Sequence, residues 1–248
     1  MRFPRPKLAW LVPLAGVMVG VLLYLLDPLP LQVLRNAVFD QYQRWEARPY
    51  AAAPVSVVDI DDESLARLGQ WPWPRTRVAE LVTRLQSAGA SAIAFDVIFA
   101  EPDRTSPAAM LATWKPVPGL REQLSLLPDH DTVFAQALSQ GGVVLGHAPG
   151  AESGSSPLVR PFNVVDMGPS SLPFLHAFGG TVTSLPVLQQ AAAGNGAISF
   201  IPDSDGVIRR VPLLLRVDDQ AIPSLVAEAL RVSQQANDYA VITSEEAG

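Results

Sequence analysis

Four carboxylates stand close together in the stretch VSVVDIDDESLARLG, where Asp59, Asp61, Asp62 and Glu63 end or follow an apolar run. Asp96 stands similarly near the end of a second apolar run, ASAIAFDVIFA. If the two runs are neighbouring parallel strands, Asp59, Asp61 and Asp96 meet at one edge of the sheet, where open α/β sheets bind ligands. Carboxylates there suit a divalent cation or a cationic or hydroxyl-rich ligand, and two carboxyls with separated pKa values suit acid–base catalysis.

A structural interpretation explains the same acids equally well. Asp61 or Asp62 caps the short helix that ends at Gly69, and Asp96 bonds a loop amide or pairs with an arginine such as Arg75. The sequence leaves both interpretations open. The candidate ligand-binding residues of this group are Asp59, Asp61, Glu63 and Asp96.

The segment WPWPR places two tryptophans between prolines, which makes a stiff aromatic turn. Such a turn either walls a pocket or stacks Arg75 on an indole face, and it equally suits an anchor that closes the edge of the domain. Trp71, Trp73 and Arg75 are therefore further candidate ligand contacts.

The stretch PDSDGVIRR, residues 202–210, contains part of an EF-hand calcium loop, D-x-D-G. The full pattern requires Glu six positions after the glycine, but Pro212 stands six positions after Gly206. We therefore predict a hairpin turn over residues 203–206 in which arginines reach the acids. The residues of this pattern are Asp203, Asp205, Gly206 and Arg209.

Several classes of function are excluded or disfavoured. The chain of 248 residues has no cysteine, so thiolate metal sites and cysteine nucleophiles are excluded. It contains no Walker loop, no G-x-S-x-G and no H-E-x-x-H motif, and its three histidines lie far apart. The net charge of −6 disfavours nucleic-acid binding. We predict no catalytic residue, no resident metal and no cofactor.

The elements that position these residues follow from hydrophobic periodicity. VSVVDI (55–60), residues 90–100 and GGVVLGH read as strands, and helices are expected near 62–68, 75–88, 131–140, 185–194 and 222–235. Two strands at 196–202 and 207–217 are joined by DSDG. The predicted fold class is α/β: a mixed sheet with a parallel βαβ core and a C-terminal antiparallel hairpin, preceded by one N-terminal transmembrane helix.

The N-terminal region carries the predicted membrane anchor. Residues 8–26, LAWLVPLAGVMVGVLLYLL, contain no charge, and the basic residues Arg2, Arg5 and Lys7 precede them. Nineteen helical residues span about 28 Å, close to the thickness of the hydrocarbon core. The positive-inside rule places residues 1–7 in the cytoplasm and the remainder outside. A cleaved signal peptide is the alternative, but its apolar region is shorter and ends in small residues.

The domain boundaries follow from these elements. Residues 27–54 form a juxtamembrane stalk helix and linker, 55–236 the extracytoplasmic domain, and 237–248 a frayed or truncated end. The stalk helix has Leu31, Leu34, Val38, Tyr42 and Trp45 on one face. That face either packs on its own domain or joins two copies, and we expect a homodimer.

Three segments together resemble the CHASE type 2 domain, the cyclase/histidine-kinase-associated sensory extracellular domain of bacterial membrane receptors. They are VVDIDDESLARLGQWPWPR, AGASAIAFDVIFAEPD and GAISFIPDSDGVIRRVP. The resemblance spans roughly residues 31–235 and implies an extracytoplasmic sensor whose output, a nucleotide cyclase or a histidine or Ser/Thr kinase, lies outside these 248 residues. The family's characteristic positions correspond to Asp61, Ser64, Leu68, Gly69, Trp71, Pro72, Trp73, Pro74, Arg75, Asp96, Phe99, Asp103, Asp205, Gly206 and Arg209.

The resemblance adds Asp103 to the candidate ligand contacts. It implies localisation in the inner membrane, with the domain in the periplasm or extracellular space, and a small-molecule or protein cue of unknown identity. Two other functions stay open from the residues alone: an exported metal-dependent hydrolase that uses Asp59, Asp61 and Asp96, and an envelope protein that only binds other proteins.

Overall fold

The computed structural model describes residues 10–49, 51–113, 118–150 and 164–244. The predicted cytoplasmic segment 1–7, residues 8–9 of the predicted anchor and residues 245–248 lie outside this described part. The chain divides into two compact units. The first comprises Met1–Val58 with Ile201–Arg210, and the second comprises Asp59–Phe200 with Val211–Gly248.

The first unit begins with two helices, α1 (Leu11–Leu26) and α2 (Leu29–Trp45). They meet at Asp27, which has a left-handed φ of 37°, and at Pro28, and their axes are bent by 81°. Within the described residues no single helix has the length and apolarity to cross a membrane; α1 and α2 reach that threshold only when taken together as a bent pair. The predicted stalk helix is therefore confirmed as a helix, whereas the transmembrane helix stays a prediction.

The first unit also contains the predicted turn of the DSDG segment. The N–H of Gly206 donates to the carbonyl of Asp203, and the N–H of Asp203 donates to the carbonyl of Val207. Gly206 has a φ of +80°, which a residue with a Cβ rarely adopts. The flanking strands are much shorter than predicted, because residues 198–213 have no regular secondary structure.

Helices of the second unit largely follow the predicted periodicity. Val78 and Val82 of the long helix after WPWP are buried, as their spacing predicts. The loop-like region 101–130 contains two further short helices. The helices are α3 (Asp62–Leu68), α4 (Arg75–Ser87), α5 (Pro107–Thr113), α6 (Pro118–Ser125), α7 (His130–Leu138), α8 (Pro186–Ala191) and α9 (Leu225–Ser233), with a 3₁₀ turn at Leu172–Phe174.

The strands of the second unit form three small sheets. In the main sheet, β2 pairs in parallel with β1 on one side and β6 on the other, and its far end pairs antiparallel with β5. The strand β3 pairs in parallel with β9, and β4, β7 and β8 form a third sheet. The strands are β1 (Ile93–Phe95), β2 (Val143–Gly150), β3 (Val164–Met167), β4 (Ala177–Phe178), β5 (Gly180–Val182), β6 (Gly194–Ala197), β7 (Leu214–Val217), β8 (Gln220–Pro223) and β9 (Tyr239–Ile242).

The hydrophobic core lies between the main sheet and the helices α4, α7 and α8. Phe95, Phe99 and Phe134 make edge-to-face contacts at its centre, with ring centroids 5.1–6.0 Å apart. Val82, Phe134 and Leu145 are fully buried. This core fixes the start of α4 and the loop that follows β1.

Three parts of the predicted architecture are wrong. Residues 55–60 belong to no strand, and Val57 is 89% exposed. The parallel partner of β1 is therefore β2, and the predicted βαβ unit of 55–60 with 90–100 is absent. The C-terminal antiparallel hairpin joins β7 to β8 rather than the segments flanking DSDG. Residues 239–242, expected to be frayed, form β9 because β3 supplies a parallel partner.

Candidate functional site

Arg75 is the centre of a buried polar cluster at the start of α4. Its backbone N–H donates to Asp103 Oδ2 at 2.7 Å, so Asp103 caps α4 from a loop 28 residues away. Its guanidinium lies 3.4 Å (Nε) from Asp131 Oδ1 and stacks with Cζ 4.4 Å above the Phe99 ring centroid. The predicted stacking on a tryptophan is wrong, because Phe99 takes that position.

Asp103 and Asp131, the two carboxylates beside Arg75, connect the loop after β1 to the start of α7 through hydrogen bonds. The N–H of Asp103 donates to Asp131 Oδ2 at 2.9 Å, and Asp103 Oδ1 accepts from the N–H and hydroxyl of Thr105. His130 Nδ1 lies 3.1 Å from Asp103 Oδ2. Burial raises the pKa of Asp103, but these donors together outweigh burial and hold that pKa below its ordinary value. Asp103 therefore stays charged and joins α4 to α7.

The tryptophans of the WPWPR segment pack inward. Trp73 is 8% exposed and donates from Nε1 to the carbonyl of Gly69 at 2.7 Å. Trp71 meets it edge to face at 5.6 Å and packs against the core. The segment thus closes one side of the second unit.

Asp59, Asp61 and Asp96 do not meet at one edge of a sheet as predicted. Asp61 caps α3 by accepting from the N–H of Ser64 at 2.8 Å, which holds the pKa of Asp61 low, and Glu63 pairs with Arg67 at 2.6 Å. Asp59 and Asp96 are exposed and neither bonds to the other acids. Because residues 55–60 are not a strand beside β1, nothing in the fold aligns Asp59 with Asp96.

A second cluster, in the first unit, has Arg209 at its centre. Its guanidinium binds Asp40 of α2 in a bidentate pair, with Nε–Oδ1 at 2.8 Å and Nη2–Oδ2 at 2.9 Å. It also donates to Asp203 at 2.8 Å and to Asp205 at 2.9 and 2.7 Å. We call this group of four residues the clamp. All five N–H directions of the planar guanidinium are used, a geometry that lysine does not reproduce.

Within the clamp, Arg209, Asp40 and Asp205 remain charged over the whole neutral range. Arg209, with the N–H of Val207, lowers the pKa of Asp205 to about 2. Arg209 likewise lowers the pKa of Asp40, and the three carboxylates raise the pKa of Arg209. The Arg209 side chain is only 6% exposed, so the contact is desolvated on the cation side.

Several of the residues that build these clusters were not predicted from the sequence. Asp40 lies 169 residues before Arg209, and no spacing rule connects the two. Asp129 caps α7 by accepting from the N–H groups of Asp131 and Thr132. The signal that was available is charge: Asp40 is an acid on the polar face of an amphipathic helix.

Neither cluster resembles a catalytic or metal centre. Within the described ranges, no group of three His, Asp or Glu side chains is placed to hold a metal ion. The acids of the clamp are all turned towards one arginine. The residues instead join segments that are distant in the chain.

The CHASE2 domain family model matches residues 14–246, which is nearly the whole chain. The chain belongs to the CHASE2 family. CHASE2 domains are sensory extracellular domains rather than catalytic ones, so the predicted resemblance is confirmed. No curated protein and no solved structure matches the chain. In this CHASE2 domain, Arg75 and Arg209 each occupy the centre of a polar cluster.

Proposed function

We propose that this chain is the membrane-anchored, extracytoplasmic input part of a bacterial receptor, and that the output it controls is a nucleotide cyclase or a protein kinase. Membership of a sensory family supports the input role. The uncharged α1 supports the anchor, since its 16 residues span about 24 Å and residues before Leu11 extend the apolar run. A short span is accommodated by local thinning of the bilayer.

The observation that carries this proposal is the clamp. Residues 201–210 leave the second unit after Phe200 and return to it at Val211, and in between Arg209 binds Asp40 of α2. Helix α2, which follows the predicted anchor, is therefore tied to residues 203–209 of the same unit by a bidentate pair whose cation is nearly buried. A cue that binds one arrangement of residues 201–210 more tightly than another changes how Arg209 binds α2. Signalling requires only that the cue has different affinities for these two arrangements.

The cue is expected to be a small molecule or a protein. Of the predicted contacts, Trp71, Trp73, Arg75 and Asp103 lie in one packed region, while Asp59, Asp61 and Asp96 share no contact. Thermal stabilisation of the whole chain by candidate compounds tests both groups. A compound whose stabilising effect survives the Asp61→Ala/Asp96→Ala double substitution does not bind at these acids.

Signalling is tested in membranes that contain the complete product of the gene. Cyclic-nucleotide formation and autophosphorylation are measured for the parent protein and for Arg209→Ala. We expect one of these outputs to shift its basal level, because the loss of Arg209 leaves three carboxylates without their cation. Arg210→Ala is the matched control, since Arg210 is the exposed neighbour outside the clamp. Equal output from the parent and Arg209→Ala, both folded, would remove the clamp from the signalling path.

A further inference from the structure

Helix α2 carries an apolar face that nothing in the described part of the chain covers. The residues recur at intervals of three and four, which places them on one side of a helix. Their exposed fractions are 38% for Leu31, 61% for Leu34, 46% for Val38, 60% for Tyr42 and 73% for Trp45. A stripe of this size on a soluble surface requires a partner.

The opposite face of α2 is already occupied. At about 100° per residue, Asp40 lies roughly 160° around the helix from the centre of the stripe. Asp40 is bound by Arg209, and Gln32, Asn36 and Asp40 on that side are half-buried. The clamp therefore fixes the rotation of α2, so that the apolar stripe faces away from residues 201–210.

The bend between α1 and α2 is a built feature. Arg35 holds the carboxylate of Asp27 with two bonds of 3.0 and 3.1 Å, and Gln32 Nε2 donates to the Asp27 carbonyl at 2.7 Å. These bonds connect the first turns of α2 to the residue at which α1 ends. They hold the two axes at 81°.

We propose that α2 lies in the interface of the bilayer, with the stripe of Leu31, Leu34, Val38, Tyr42 and Trp45 against the lipid. An axis bent by 81° from a helix that enters the membrane runs nearly parallel to the membrane surface. Tyr and Trp are the residues that favour the interface, and Tyr42 and Trp45 contact each other at the exposed end of the stripe. Amphipathic helices bind lipid surfaces through such a face.

A second copy of the chain fits the stripe less well. In a heptad pattern that begins at Leu31, the inward positions are Leu31, Leu34, Val38, Gln41 and Trp45. Gln41 and Trp45 interrupt a two-stranded seam, and 17 residues provide fewer than the three or four heptads of a stable coiled coil.

The test uses the absence of native cysteine, which allows single spin labels to be placed on the whole chain in phosphatidylethanolamine/phosphatidylglycerol vesicles. Labels replace Leu34, Val38 and Tyr42 on the stripe, and Val33 and Gln43 on the other side as exposed controls. Collision with oxygen reports lipid, and collision with a soluble nickel chelate reports water. We expect the stripe labels to favour oxygen and both control labels to favour nickel.

A label at Val17 of α1 separates this inference from the anchor on which it rests. If the Val17 label favours oxygen while the stripe labels favour nickel, the interfacial helix is wrong and the anchor stands. If the Val17 label also favours nickel, the anchor itself is wrong. Stripe labels that are shielded from both reagents and show spin–spin broadening indicate a second copy on this face, which also overturns the inference.

Discussion

At the residue scale, Arg75 is a buried cation of the second unit that contacts both a carboxylate and an aromatic ring. It is 8% exposed and lies between Asp131 and the Phe99 ring, with its backbone N–H on Asp103. Its substitution by alanine leaves the buried carboxylate of Asp131 without a cation. This is the situation in which a buried pair costs most to break.

We therefore predict that Arg75→Ala lowers the free energy of unfolding by about 3–5 kcal/mol. Chemical denaturation of the detergent-solubilised chain measures this change. Arg77→Ala is the control, since Arg77 lies two residues further along α4 and is exposed. Similar losses in both variants would contradict a special role for Arg75.

The burial of His147 allows a prediction of how the stability of the second unit depends on pH. It is 1% exposed on β2, with Nδ1 2.8 Å from Thr181 Oγ1, and its Nε2 has no hydrogen-bond partner among the residues that the structure describes. Burial lowers the pKa of His147 to about 4. The unfolded chain binds this proton below about pH 6.5, whereas the folded chain does not until about pH 4, so acid favours unfolding over that window.

The expected loss of unfolding free energy between pH 6.5 and pH 4 is roughly 3 kcal/mol, with no contribution from His147 above pH 6.5. Denaturation at a series of pH values measures it. His147→Gln should flatten the dependence in this window, and His176→Gln, at an exposed histidine, should preserve it. A slope unchanged in His147→Gln would show that another group titrates.

At the element scale, close packing of backbone against backbone limits the strands of the main sheet. A Cβ at Gly196 of β6 would lie 2.5 Å from the Cα and 2.8 Å from the N of Leu225, at the start of α9. Neither atom is free to move like the end of a side chain. A methyl group there requires β6 and α9 to separate.

Gly196→Ala should therefore lower the melting temperature, with a loss of about 1–3 kcal/mol typical of an overfilled core. Gly119→Ala is the matched control. A Cβ at Gly119 meets nothing within 4 Å, and alanine favours the helix α6. A thermal melt of both variants decides the prediction, which fails if Gly196→Ala melts like the parent.

The elements differ in how far the sequence predicts them. The helices α3, α4 and α7 carry their own signals, namely an acidic cap, a stripe of valines and leucines, and a closing glycine. VSVVDI carries an equally clear strand signal, but a strand forms only when it pairs with another strand. The periodicity of a segment does not show whether the sheet has an edge available for that pairing. Only part of the clamp could be predicted. The pattern at 203–209 indicates that Arg209 pairs with the nearby acids, but Asp40 lies in a helix that is remote in sequence.

At the scale of the whole molecule, the proposed topology places everything after α1 outside the cytoplasm. A fusion of alkaline phosphatase after Gly248 should be active in intact bacteria, and a fusion of green fluorescent protein at the same position should be dark. The positive-inside rule gives this orientation through Arg2, Arg5 and Lys7. Substitution of these three residues by glutamate should weaken the preference, and a fluorescent parent fusion would reverse the assignment.

The position of the clamp in the chain has a consequence for biogenesis. Asp40 leaves the ribosome 169 residues ahead of Arg209, and at bacterial rates of synthesis this gap lasts roughly ten to thirty seconds. In the proposed topology, α2 is exported during that time, before Arg209 has been synthesised. In the nascent chain, α2 is therefore without its partner while most of the domain is synthesised. The clamp forms only after nearly all of the domain has been translocated.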